Sequence, residues 1–255
     1  MKVSQFLEET RQLPVATRSE IVGDAPFVVL SPHPDDESLG LGGLIRQARN
    51  VGQRVIIVVL TDGSGSHTES RAYPAPRLIA LRKQEMLEAA VLLGVSAAEL
   101  HHFDQPDAGA SSSGPEFERA AEDLAAIVRN SDAKNLFVTW RHDPHCDHSA
   151  AAALANAAIA RCPHVRLWEY PVWGWHLDPE MEVPMNGASG YRINITKEKE
   201  VKSRAIAAHQ SQMTNLIADD PKGFRFTLDA LSPFIGDYEY FYGLQTALPL
   251  RAIDA

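Results

Sequence analysis

His33-Pro34-Asp35-Asp36-Glu37 sets one imidazole and three carboxylates within five residues, directly after the apolar run Phe27-Val28-Val29-Leu30. Carboxylates are costly to desolvate unless they are paired or bound to a cation. Acids at the end of a buried strand therefore point to something positive held there. His33 and Asp36 are three residues apart, so one helical turn brings their side chains to the same side. An imidazole and a carboxylate so placed suit Zn²⁺ or Fe²⁺. A simpler account is an acidic first helical turn with Pro34 at its start. It explains the acids but gives His33 no purpose, and this stretch alone leaves both accounts open.

A second stretch repeats the grammar. The strand-like run Asn135–Trp140 leads into Asp143-Pro144-His145-Cys146-Asp147-His148, and an Ala-rich helical run, Ser149–Ala160, follows. A helix start accounts for Asp143 as a cap and for Pro144 beside it, but not for two histidines. If the two strands are neighbours, both clusters meet over one ion. His33, Asp36 and His148 then supply three ligands and leave a position open, the pattern of a catalytic rather than a structural site. Asp35 lies beside a ligand and is free to act as a general base. His145 is placed as general acid or oxyanion partner, with Asp147 holding it as the imidazolium.

The elements that position these residues follow from periodicity. Strand-like runs occur at Phe27–Ser31, Arg54–Thr61, Glu99–Phe103, Asn135–Trp140 and Val165–Val172. Helical patterns occupy about 37–51, 77–94, 115–130, 147–161 and 197–212, with a short amphipathic helix over 3–13. Continuous apolar strands are covered on both faces, and strand–helix alternation implies a mostly parallel sheet. The loops 63–76, 105–115 and 173–190 all follow strands, which puts them on the rim where open sheets bind ligands. No internal repeat or linker divides the chain, so residues 1–255 read as one domain.

The Pro-His-Pro-Asp-Asp-Glu and His-x-Asp-His runs, in this order and spacing, closely resemble the LmbE-like, or PIG-L, family of metal-dependent N-deacetylases. Its members act on N-acetylglucosaminyl-phosphatidylinositol and on sugar precursors of mycothiol and bacillithiol. The resemblance extends from about Phe27 to Phe241. It implies a Rossmann-like three-layer α/β fold with the metal site at the strand C-termini, and a zinc-dependent (or Fe²⁺-dependent) amidohydrolase acting on an amino-sugar substrate. The family's ligands fall on His33, Asp36 and His148, its base on Asp35, and its second-motif histidine and aspartate on His145 and Asp147. Arg82, in Leu81-Arg82-Lys83-Gln84-Glu85, and Asp107, in Pro106-Asp107, become candidates for substrate contact. Three departures stand out: Cys146 where proline is commonest, Asp143 where some members carry a tyrosine, and the segment Trp173–Gly190.

Other signals are plainer. Arg82 and Glu85 also have the spacing of an ordinary helix pair. Trp173 and Trp175 read as loop anchors, and Cys146 as a packing thiol. A formal net charge of −9 without a basic cluster argues against nucleic acid and membrane surfaces. No apolar run approaches the ~20 residues that span a bilayer, and no leader-like segment opens the chain, which places it in the cytoplasm; a homo-oligomer is compatible with the sequence. Two rivals compete with the deacetylase. A phosphoesterase usually needs two metals and more carboxylates. A receiver-like regulatory domain would use the acidic pair and Thr61 but leaves the histidines idle.

Overall fold

The computed structural model describes residues 1–243; the last twelve residues of the expected domain lie outside the described residues. In chain order the elements are α1 (Val3–Arg11), α2 (Arg18–Val22), β1 (Phe27–Ser31), α3 (Asp36–Asn50), β2 (Val55–Thr61), α4 (Ala75–Leu93), β3 (Leu100–Gln105), α5 (Gly114–Asn130), β4 (Asn135–Thr139), α6 (Cys146–Ala160), β5 (Arg166–Tyr170), β6 (Gly190–Asn194), α7 (Lys199–Ala208), α8 (Gln210–Met213), α9 (Leu228–Leu231) and β7 (Tyr238–Gly243). Strands β3, β2, β1, β4 and β5 form a parallel sheet in that order, and β7 and β6 extend it antiparallel beyond β5.

The apolar runs explain the layers. Every residue of β1, β2 and β4 is buried, and successive side chains point to opposite faces. Phe27 and Val29 join one core with residues of α3, α4 and α7. Val28 and Leu30 join a second core with residues of α5 and α6. Each fully buried aliphatic or aromatic side chain contributes ~1.5–3 kcal/mol, so β1 is anchored from both sides. The result is the expected three-layer α/β fold with a mostly parallel sheet. Among the described residues no helix is long and apolar enough to cross a membrane.

The structure departs from the sequence reading at the sheet's far edge and near the C-terminal helix. Strands β6 and β7 were not expected. Most β6 side chains are only half-buried, so the strand lacks the continuous apolar run that marks the central strands. The single helix expected over 197–212 is two, α7 and α8, broken at His209, whose ψ of 59° is not helical. The ring of His209 is fully buried, with Nε2 3.7 Å from a Glu37 carboxylate oxygen. The segment after β5 opens with a tight 3₁₀ turn, Trp173–His176, before running on to β6.

Helix α3 packs close because of Gly40, Gly42 and Gly43. A Cβ on Gly40 would enter the ring of Tyr170, and one on Gly43 would meet Ile195. Alanine gains ~1 kcal/mol of helix propensity over glycine, but forcing a methyl into a well-packed core costs ~1–3 kcal/mol. Tyr170 is fully buried and has nowhere to go. Because a Cβ on Gly40 would fall far inside contact distance of that ring, the cost lies at the upper end, and Gly40→Ala is expected to lower unfolding free energy by about 2 kcal/mol, measured by denaturant titration; an unchanged midpoint would contradict the packing.

Candidate functional site

Strands β1 and β4 pair directly, with Leu30 opposite Val138. From β1 the chain builds outward through β2 and β3, then crosses back to β4 on the other side. The crevice between β1 and β4 is thus the switch point at which open α/β sheets bind ligands. The two motifs leave these strands side by side and open α3 and α6.

There the ligating atoms of His33, Asp36 and His148 lie within 4.8 Å of one another, all buried. Oδ2 of Asp36 stands 3.4 Å from His33 Nδ1 and 3.4 Å from His148 Nε2. The opposite nitrogen of each ring meets a carboxylate: His33 Nε2 lies 3.1 Å from Asp147 Oδ2, and His148 Nδ1 lies 3.0 Å from Asp143 Oδ2. Such outer carboxylates fix the tautomer and aim of ligating imidazoles. Among the described residues, His148 Nε2 is buried without a hydrogen-bond partner and faces Asp36 Oδ2. Burial opposes a charge on His148, yet Asp36 and Asp143 push the ring up to about 9. His33 is likewise raised well above its usual value against its own burial, by Asp107, Asp147 and Asp36. A cluster that holds protons this firmly favours a cation. The donor set, the orphaned nitrogen and the carboxylate-backed rings fit a divalent ion.

Asp35 lies at the mouth of this cluster in a backbone conformation of φ 148°, ψ −28°, which L-residues rarely adopt and which costs ~1–3 kcal/mol. Its amide donates to Glu37, 3.3 Å away, while Glu37 also accepts from the hydroxyls of Ser31 and Ser38. Glu37, without a role in the sequence, thus braces the turn. Burial pushes the Asp35 carboxyl up to about 7, with Arg82 pulling the other way. The Arg82 guanidinium donates to Asp35 at 3.2 Å and to the carbonyls of Pro34 and Gly63. Glu85 does not pair with it; that carboxylate accepts instead from the amide and hydroxyl of Ser211.

Asp147 is placed otherwise than the sequence suggested. Its carboxylate accepts from the amides of Ala108 and Ala110 and faces His33, while His145 Nδ1 is 3.9 Å away. His145 Nδ1 instead accepts from the Asp147 amide at 3.2 Å, which leaves the ring proton on Nε2. Burial and the neighbouring rings of His33 and His148 lower its pKa, against the pull of Asp147. Asp107 accepts from the Gly65 amide at 2.9 Å and lies 3.4 Å from His33 Nε2.

These groups floor a cavity of about 380 Å³ that His33, Asp35, Asp36, Arg82, Asp107 and His145 all line. His148 lies beneath it, fully buried. Sequence reasoning missed Asp143. Its carboxylate holds His148 and also accepts from the amides of Val172 and Gly174. The signal was a carboxylate five residues before a ligand histidine, read only as a cap. Cys146 is an exposed free thiol beside His145, and Trp173 lines the cavity rather than only anchoring its loop.

A three-layer α/β sandwich with a carboxylate-backed His-Asp-His cluster at its switch point defines a Rossmann-like protein with a group of side chains that could hold a metal ion. The chain belongs to the PIG-L family: the family model described as GlcNAc-PI de-N-acetylase matches residues 28–159, just over half of its length. It is 28% identical over 193 residues to diacetylchitobiose deacetylase of Thermococcus kodakarensis, covering 72% of this chain and 68% of that one. The solved N,N'-diacetylchitobiose deacetylase from Pyrococcus horikoshii superposes with a TM-score of 0.64 at 22% identity, covering 94% of this chain and 90% of that one. A 4-carboxy-2-hydroxymuconate hydratase from Pseudomonas putida shares the fold equally well, with a TM-score of 0.66 at 16% identity and coverage of 89% and 99%.

Proposed function

We propose that this chain is a metal-dependent hydrolase that removes an acetyl, or another small acyl, group from an N-acetylated amino sugar or its conjugate. The observation that carries the reading is the buried, partnerless Nε2 of His148, held by Asp143 and facing Asp36. Family membership and the chitobiose deacetylase relative supply the bond and the substrate class.

His33, Asp36 and His148 hold the ion, Zn²⁺ or Fe²⁺, for which this donor set is equally suited. Bound there, it supplies Lewis acidity to the amide carbonyl and acidifies a water. Asp35 takes the proton from the attacking water as its oxygen bonds to the carbonyl carbon. A carboxyl pushed up to about 7 is matched to that exchange near neutral pH. The Nε2–H of His145 donates to the carbonyl oxygen as charge grows on it. Asp35 then returns the proton to the nitrogen as the C–N bond breaks, leaving acetate and a free amine. Arg82 keeps Asp35 oriented. Asp147 acts on His33 rather than on His145. Phosphoester hydrolysis is disfavoured because the family model and the relatives are de-N-acetylases. A receiver role is disfavoured because the Thr61 hydroxyl is buried and donates to the Pro32 carbonyl.

The test is acetate release from N-acetylglucosamine and its glycosides, before and after exhaustive chelation. Release that stops on chelation and returns with one equivalent of Zn²⁺ or Fe²⁺ supports the reading. Metal-loaded protein that liberates no acetate, or that only hydrates double bonds as the fold's hydratase does, overturns it.

A further inference from the structure

We propose that the cavity selects a neutral N-acetylated sugar bearing an apolar substituent, aryl or alkyl, next to the amide-carrying ring, and that it rejects conjugates with an anionic group there. This deepens, and rests on, the deacetylase reading.

The cavity has two unlike sides. Opposite the polar floor stand Trp173, Phe224 and Phe226. Their rings pack on one another, with centroids 5.5 Å apart for Trp173 and Phe224, 5.8 Å for Trp173 and Phe226, and 4.9 Å for the two phenylalanines. Pro144 and Ala108 also line the cavity. Aromatic rings of this kind meet the carbon face of a sugar or an apolar aglycone, and they add contact energy beyond area alone.

This wall is held in place before any ligand arrives. The Phe224 amide donates to the Ser66 carbonyl at 2.7 Å, and the Phe226 amide to that of Gln212 at 2.9 Å. The Asp219 carboxylate accepts from the amides of Arg71 and Ala72 and from the Ser70 hydroxyl, and Asp220 accepts from the Glu69 amide. Phe224, Asp219 and Asp220 thus fasten the strap 215–226 to the loop after β2, and Phe226 ties it to α8. A wall fixed in this way loses little freedom on binding.

Charge decides the second half of the proposal. Three carboxylates line the cavity: Asp35, Asp36 and Asp107. Against them stand the Arg82 guanidinium and a divalent ion, which leaves no surplus positive charge for an anion. Both terminal nitrogens of Arg82 are engaged by Asp35 and two carbonyls, and its Nε is buried, without a partner among the described residues. On the strap, Lys222 pairs with Glu69 at 2.9 Å and Arg225 donates to Asn215 at 2.8 Å. A phosphate or malate carboxylate beside the sugar would be desolvated without a partner, which is strongly unfavourable.

The experiment ranks kcat/KM by acetate release for four N-acetylglucosamine derivatives with the metal-loaded wild-type chain: the methyl glycoside, the nitrophenyl glycoside, the malate glycoside and the 1-phosphate. The aryl glycoside is expected to exceed the methyl by about two- to tenfold, and both anionic derivatives to fall about tenfold or more below the methyl. In Phe224→Ala and Trp173→Ala, the aryl-to-methyl ratio is expected to drop toward one. Equal rates for aryl and methyl, an anionic derivative as the better substrate, or an aryl preference that survives both variants overturns the proposal. Acetate from none of the four overturns the deacetylase reading itself, a different failure.

Discussion

His148→Ala is expected to strip the protein of its metal and its turnover together. The ring is fully buried, its Nδ1 is spoken for by Asp143, and its Nε2 faces only Asp36. No side chain stands in for it. A catalytic ion contributes several kcal/mol of charge stabilisation, and each ~1.4 kcal/mol is a factor of ten. Loss of the ion therefore lowers kcat/KM by about 10³-fold or more. The fold should survive, because Asp143 keeps the amides of Val172 and Gly174 as partners. The measurements are metal content after dialysis and acetate release at saturating substrate; a variant that keeps either at the wild-type level refutes the ligand set. The same ring gives a pH signature. Without metal His148 titrates at about 9, so below that pH the ion must displace its proton. Metal affinity is expected to rise with pH, about tenfold per pH unit for each proton displaced, as pH climbs toward 9. Competition against a chelator of known pH dependence reads this directly.

Asp35→Asn separates the chemistry from the ion. The substitution keeps size and the hydrogen bond from Arg82 but removes the group that accepts a proton. Asparagine also tolerates unusual positive φ better than most residues. The expected outcome is an unchanged metal stoichiometry and KM, with kcat reduced about 10²- to 10⁴-fold, the usual worth of a positioned general base. If kcat holds within a few fold while metal is retained, Asp35 is not the base. Metal lost along with kcat would instead make it a ligand. Together with His148→Ala, this variant distinguishes a holder of the ion from a mover of protons.

Much of this was legible in the sequence, for identifiable reasons. Phe27–Ser31 was placed to the residue because five consecutive buried side chains leave no polar phase to confuse the reading. The two motifs sharing one grammar suggested a common site only if their strands were neighbours, and the structure pairs β1 with β4. The edge strands were not legible in the same way. Gly190–Asn194 is short and half-buried, and Tyr238–Gly243 alternates tyrosines with Glu239 and Phe241, a pattern weaker than a core run. The break at His209 brings its ring to 3.7 Å from Glu37, far away in the sequence, and no local pattern carries such a contact. Within the site, residue types pointed to a metal, but who supports whom was misjudged. Neighbours in sequence suggested that Asp147 serves His145; the turn at the start of α6 swings its carboxylate to His33 instead. Asp143 went unread as a positioning group because its three partners come from two separate segments.

That fork at Asp143 has an evolutionary consequence. One carboxylate grips both a histidine of the cation cluster and the turn that carries Trp173. Changes in that turn and changes at the cluster should be epistatic, their effects failing to add as those of distant sites do. The strap 215–226 is fastened to the Ser66–Ala72 loop and shares no such carboxylate. A lineage adapting to a new sugar conjugate can therefore rewrite Phe224 and Phe226 without touching Asp143, whereas redrawing the Trp173 turn forces it to retune the cluster at the same time.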